Sequence, residues 1–166
     1  MKLAMQIGLI VLLAALLAFL LLSCRGKSAL TVGKDIRFDE ITDFYYTVDA
    51  STNPPYFQRY RFYTADGVPT FYHERREGDH WPLTENDIAA SGSLALSDED
   101  WNEFCSCIWG GSVTKRKESV ESGGRGPWTF LYWKRDKGKL QVFDFADIDR
   151  QYAFKKLCDR LTESAG

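Results

Sequence analysis

The stretch YFQRYRFYTADGVPTFYHERRE, residues 56–77, decides the fold. Two runs rich in aromatic side chains flank Asp66-Gly67. That dipeptide between two such runs is the strongest short-range signal for a β-hairpin, because both turn positions need positive φ. Pro69 falls near the start of the second strand, where a missing N–H donor costs least. Strand alternation then divides the first run, with Tyr60 and Phe62 on one face and Phe57 and Tyr63 on the other. A stripe through Tyr60 and Phe62, with Gln58 at its solvent end, buries fewer charges than one through Arg59 and Arg61. Phe62 is therefore assigned to the core, and Phe57 and Tyr63 to the opposite face. Phe71 and Tyr72 repeat the two-sided pattern on the partner strand.

Working outward, residues 40–48 alternate with Phe44, Tyr46 and Val48 on one face, which reads as a strand. Asn53-Pro54-Pro55 ends it. Residues 79–85 read as loop, and residues 89–96 as a further strand with Leu94 and Leu96 on one side. Ser97 is placed to cap a helix, with Asp100 three residues on and Asp98 and Glu99 in the first turn. Trp101, Phe104, Cys105 and Ile108 recur at helical spacing, Cys107 falls off that stripe, and Gly110-Gly111 ends the helix. Residues 112–127 form a long polar loop. Residues 128–134 and 139–145 read as a second hairpin turning near Lys137-Gly138. A last helix spans 148–161, with Phe154, Leu157, Cys158 and Leu161 as its buried stripe and its charges matched to the helix dipole.

Hairpins dominate this order, which predicts an α+β fold: a mostly antiparallel sheet of about five to six strands with two helices on one face. The predicted order is strand, strand, strand, an optional fourth strand, helix, strand, strand, helix, in a folded domain covering residues 39–163. The chain of 166 residues, 45% hydrophobic and 14% aromatic, has enough apolar content for one real core. Its formal charge is only -2, with both signs interspersed. A nucleic-acid partner normally demands a strong basic excess, and none is present.

The N-terminus has a different composition. Between Leu3 and Leu22 the only polar side chain is Gln6, and Lys2 supplies a short positive flank. A helix of that length rises roughly 30 Å, enough to cross a bilayer's hydrocarbon core. Cleavable signals usually have a shorter apolar region of about 7–15 residues. Residues 1–23 are thus a signal peptide or a membrane anchor, and residues 24–38 read as a tether.

Leu21-Leu22-Ser23-Cys24 resembles the lipobox of bacterial lipoproteins: an aliphatic residue, a variable one, a small one, then cysteine. The resemblance covers residues 1–24 alone. It implies that Cys24 carries a diacylglycerol, that the chain is cut before it, and that membrane lipid is the first partner. A multiply acylated cysteine would satisfy the need of stable anchoring for more than one chain. The alternative is an uncleaved single-pass anchor with Cys24 as an ordinary thiol. Both place the folded domain at the cell membrane on the extracytoplasmic side. The element order also resembles that of small uncharacterised lipoproteins of bacterial envelopes, which implies no activity.

Candidates for chemistry are weak. Outside the cytoplasm a disulfide is permitted, and Cys105 with Cys158 would then be the pair because each lies on an inward helical stripe; three small buried thiols without a disulfide are the reading preferred to it. His73 and His80 lie among Glu74, Glu77 and Asp79, which would suit an envelope hydrolase, but their spacing matches no metal-binding or catalytic signature. No nucleotide-binding glycine loop and no serine-nucleophile motif is present, and no metal or cofactor is expected. Lys115, Arg116 and Lys117 are diluted by Glu118 and Glu121 and read as a solvated loop. The aromatic residues of the first hairpin are the stronger signal. If helices cover one face only, Phe57 and Tyr63 would present a binding surface to an envelope protein or polysaccharide. The sequence reading is a membrane-anchored binding or interaction module without catalysis.

Overall fold

A computed structural model describes residues 29–115, 127–136 and 141–166. The anchor, Cys24, the Lys137-Gly138 turn and the basic, glycine-rich run 116–126 lie outside the described residues. Among the described residues no helix is long and apolar enough to cross a membrane.

The first hairpin forms as its sequence dictates. Strands β3 (Tyr56–Ala65) and β4 (Val68–Arg76) pair antiparallel, and Asp66 and Gly67 adopt φ of 50° and 84° at the turn. Strand β2 (Ile41–Ala50) lies beside β3, and β5 (Ile88–Ala95) beside β4. Helix α1 (Asp98–Ile108) then leaves the sheet. Ser97 caps it by accepting a hydrogen bond from the Asp100 N–H at 3.1 Å. The chain returns through β6 (Ser112–Thr114), β7 (Trp128–Trp133) and β8 (Val142–Asp144), and ends in helix α2 (Ile148–Ala165).

Among the described residues the sheet is antiparallel and eight-stranded: β1 (Ala29–Thr31) stands at one edge, in the order β1-β6-β8-β7-β2-β3-β4-β5. It is larger than the five to six strands predicted. One extra strand, β1 (Ala29–Thr31), lies in the segment read as a tether; Val32 and Ile36 just beyond it are fully buried, so the fold begins well before residue 39. The other, β6, is cut from the supposed polar loop after α1. Both are short, and three residues are too few to show an alternation.

Both helices pack on the same face. Phe62 stacks on Phe104 of α1 with ring centroids 4.1 Å apart and planes at 5°. Phe154 of α2 meets Phe44 at 5.4 Å and Phe62 at 5.6 Å. Phe71, Leu131 and Phe143 complete this core from the sheet side. The expected stripe of α2 is buried at every position. On α1 the expectation for Cys107 fails: it is buried with Phe104, Cys105 and Ile108, on the side where Arg150 and Ala153 of α2 stand next to it.

Candidate functional site

Among the described residues, neither α1 nor α2 packs on the opposite face of the sheet. Register places on it Asp43, Tyr45 and Thr47 of β2; Phe57, Arg59, Arg61 and Tyr63 of β3; Tyr72, Glu74 and Arg76 of β4; and Phe130 and Tyr132 of β7. Alternation predicts this set in kind, since Phe71 faces the core and Tyr72 faces outward.

The two residues nominated for a binding surface have different fates. Tyr63 is half-buried, with the Arg61 guanidinium 4.4 Å from its ring centre. Phe57 faces outward as expected but is only 4% exposed. This corrects its assignment to an open surface. The cause is the segment from Glu77 to Asp87. Trp81 Nε1 donates to Asp49 at 3.2 Å, and Arg76 Nη1 donates to the Leu83 carbonyl at 3.2 Å. Asp49 and Arg76 are the register partners of Phe57 on either side, so the loop straddles it. Phe57 and Leu83 are both buried yet stand outside the main core, as a satellite cluster on the outer face. Arg76 lies 4.2 Å from the Phe57 ring centre and pairs with buried Glu74 at 2.5 Å. Gln58, expected at the solvent end of its stripe, is buried as well.

The open part of the face centres on Asp43 and Arg61. Arg61 donates from Nε to Asp43 Oδ1 at 2.9 Å and from Nη2 to Oδ2 at 2.6 Å, a two-pronged pair of the strong kind. Hydrogen bonding to Asp43 raises the guanidinium pKa further. Tyr45 donates to Asp43 Oδ2 at 3.2 Å and packs edge-on against Tyr132 at 6.0 Å. Burial, then the Asp43 charge, pushes the Tyr45 hydroxyl pKa up, so it stays protonated. Tyr72 is held likewise by burial and by donation to Glu74 at 2.9 Å.

Thr42 is what turns this flat surface into a site. Ile41 pairs with Trp133 and Asp43 with Tyr132, so Thr42 is the extra residue of a β-bulge. A bulge bends its strand and re-aims side chains, and bulges concentrate next to functional sites. Ile41 and Phe44 both reach the core, while Thr42 and Asp43 together line an outer concavity of about 400 Å³ with Tyr45 and Tyr132. No alternation pattern could have shown this, because the extra residue is visible only in the pairing with β7.

The histidine reading finds no support in the geometry. His73 lies in register with Tyr60 and stacks on Phe71, which puts it on the core side, and it is 5% exposed. His80 lies in the exposed loop beside Asp79 and Asp87. The sheet separates the two rings. Among the described residues no group of His, Cys, Asp and Glu could hold a metal ion. Cys105, Cys107 and Cys158 are free and buried. Burial pushes the thiols of Cys105 and Cys107 up to about 12 and about 11, and that of Cys158 up strongly, which leaves no nucleophilic thiolate at neutral pH.

No family model matches the chain, and comparison with curated proteins and with solved structures gave no match either.

Proposed function

We propose that this protein is a membrane-anchored extracytoplasmic binding module, held by lipid on Cys24, that presents the face of its sheet opposite α1 and α2 to an envelope partner, a polysaccharide or a protein. The observation that carries the reading is the asymmetry of the sheet. One face is sealed by α1 and α2, while the other keeps Tyr45, Tyr63, Tyr72 and Tyr132 half-exposed around a preformed Asp43–Arg61 pair. Half-exposed aromatic residues with arginine are the usual composition of recognition surfaces, and holding their rotamers beforehand lowers the entropy lost on binding.

Anchoring is tested by Cys24→Ser, which should abolish incorporation of labelled fatty acid and leave the precursor uncut. Retention of Met1 with no acyl mass on the wild-type protein would overturn lipid attachment, though not the membrane location. Binding is tested by co-sedimentation of the full chain, in detergent, with isolated cell-wall polysaccharide and with envelope membranes. Tyr63→Ala should weaken the association, and Tyr152→Ala on the exposed side of α2 should not. Equal effects of the two would refute the assignment to the open face.

A further inference from the structure

We infer that the bulge concavity of Thr42, Asp43, Tyr45 and Tyr132 is a subsite for an uncharged, hydroxyl-rich ring, the neutral sugar unit of a polysaccharide. The inference deepens the binding-module reading and rests on it. The volume, about 400 Å³, falls within the range of small-molecule sites, about 300–1,000 Å³.

Charge selects the ligand class. The Arg61 side chain is 34% exposed and that of Asp43 17%, yet each is already neutralised by the other at 2.6 Å. An anion would have to compete with the Asp43 carboxylate for the guanidinium. A cation would have to compete with Arg61 and with the Tyr45 hydroxyl, both of which already occupy Asp43. A neutral polyol faces neither conflict. Arg61 stands behind the lining and neutralises Asp43, while the Asp43 carboxylate lines the concavity and keeps lone pairs beyond those in use. A carboxylate acceptor whose charge is already balanced is the partner that a sugar hydroxyl complements. The Thr42 hydroxyl adds a group that can donate or accept. Tyr45 and Tyr132, edge to face at 6.0 Å, supply the apolar wall against which the C–H face of a sugar stacks.

The polar pair is also positioned in advance. Arg61 lies between two tyrosine rings, 5.0 Å from the centre of Tyr45 and 4.4 Å from that of Tyr63. Its orientation is therefore fixed before any ligand arrives, as a specific site requires. The bulge places Thr42 and Asp43 together on one concave surface where a regular strand would turn them to opposite faces.

The test is calorimetric titration of the full chain in a non-glycosidic detergent. Two neutral probes, maltohexaose and the β-1,4 hexamer of N-acetylglucosamine, are compared with the anionic hexagalacturonate. At least one neutral hexamer should bind, with an affinity that changes less than about twofold between low and high salt, since no net charge pairs with it. Tyr132→Ala should weaken binding by about tenfold or more, and Tyr132→Phe should retain it. Asp43→Asn is the discriminating variant: it frees Arg61, so binding of the neutral probe should fall. Binding of neither neutral hexamer would overturn the inference, as would preferred binding of hexagalacturonate that strengthens in Asp43→Asn. If that happens while co-sedimentation with envelope material persists and still depends on Tyr63, the subsite fails and the binding module stands. Loss of both removes both.

Discussion

Phe62→Ala is the most searching perturbation of the two-faced sheet. The side chain is fully buried, stacked on Phe104 at 4.1 Å, and within 5.1 Å of Phe71 and 5.6 Å of Phe154. Truncation removes its transfer energy and leaves a cavity between the sheet and both helices, where rigid rings prevent collapse. The expected cost is about 3–5 kcal/mol, against a total stability of about 5–15 kcal/mol for a domain. For a chain of this size that corresponds to a melting temperature lower by roughly 10–20 °C. Tyr63, its sequence neighbour, is half-buried and loses mainly the Arg61 contact at 4.4 Å. Tyr63→Ala should cost about 1 kcal/mol. The assay is thermal and urea unfolding of both variants by circular dichroism in the same detergent. Adding Phe104→Ala closes a double-mutant cycle, and the coupling with Phe62 should be about 0.5–1.5 kcal/mol. If Tyr63→Ala destabilises as much as Phe62→Ala, both faces are sealed and the open recognition face does not exist.

Phe57→Ala should resemble a core truncation rather than Tyr63→Ala, with a loss of about 3 kcal/mol in urea unfolding, because the loop from Glu77 to Asp87 seals it. Glu74→Ala strands the buried Arg76 guanidinium and should cost about 3–5 kcal/mol by the same measurement; a smaller loss would mean that water reaches the pair. Burial lowers the His73 pKa below its ordinary value, so the neutral ring's contribution is complete above about pH 6.5 and is lost as pH falls through that value toward the folded pKa. Melting scans from neutral to mildly acidic pH should show a decline that His73→Leu reduces, and identical slopes would refute it. Cys105, Cys107 and Cys158 should resist Ellman's reagent in the folded protein and all titrate in denaturant. If denaturation releases none of the pair Cys105 and Cys158 until a reductant is added, that pair is a disulfide.

Local chemistry was legible in the sequence. Asp66-Gly67 fixed the first hairpin, Ser97 fixed the start of α1, and the period of Phe154, Leu157, Cys158 and Leu161 fixed the buried side of α2, because each depends on neighbours within one turn or one strand. The same alternation placed Phe62 inward and Tyr63 outward. Other features were decided by residues distant in the chain. Phe57 is covered only because Trp81 reaches Asp49 and Arg76 reaches Leu83. Cys107 is inside where Arg150 and Ala153 of α2 lie against α1. The strands β1 and β6 are short, and their pairing with each other and with β8 gives them their structure. The concavity at Thr42 exists because β2 has one residue more than β7 at that point, a mismatch that neither strand carries in its own sequence. Alternation tells a strand which side each residue faces, whereas the shape of a sheet's surface depends on how two strands are counted against each other, which pairing alone decides.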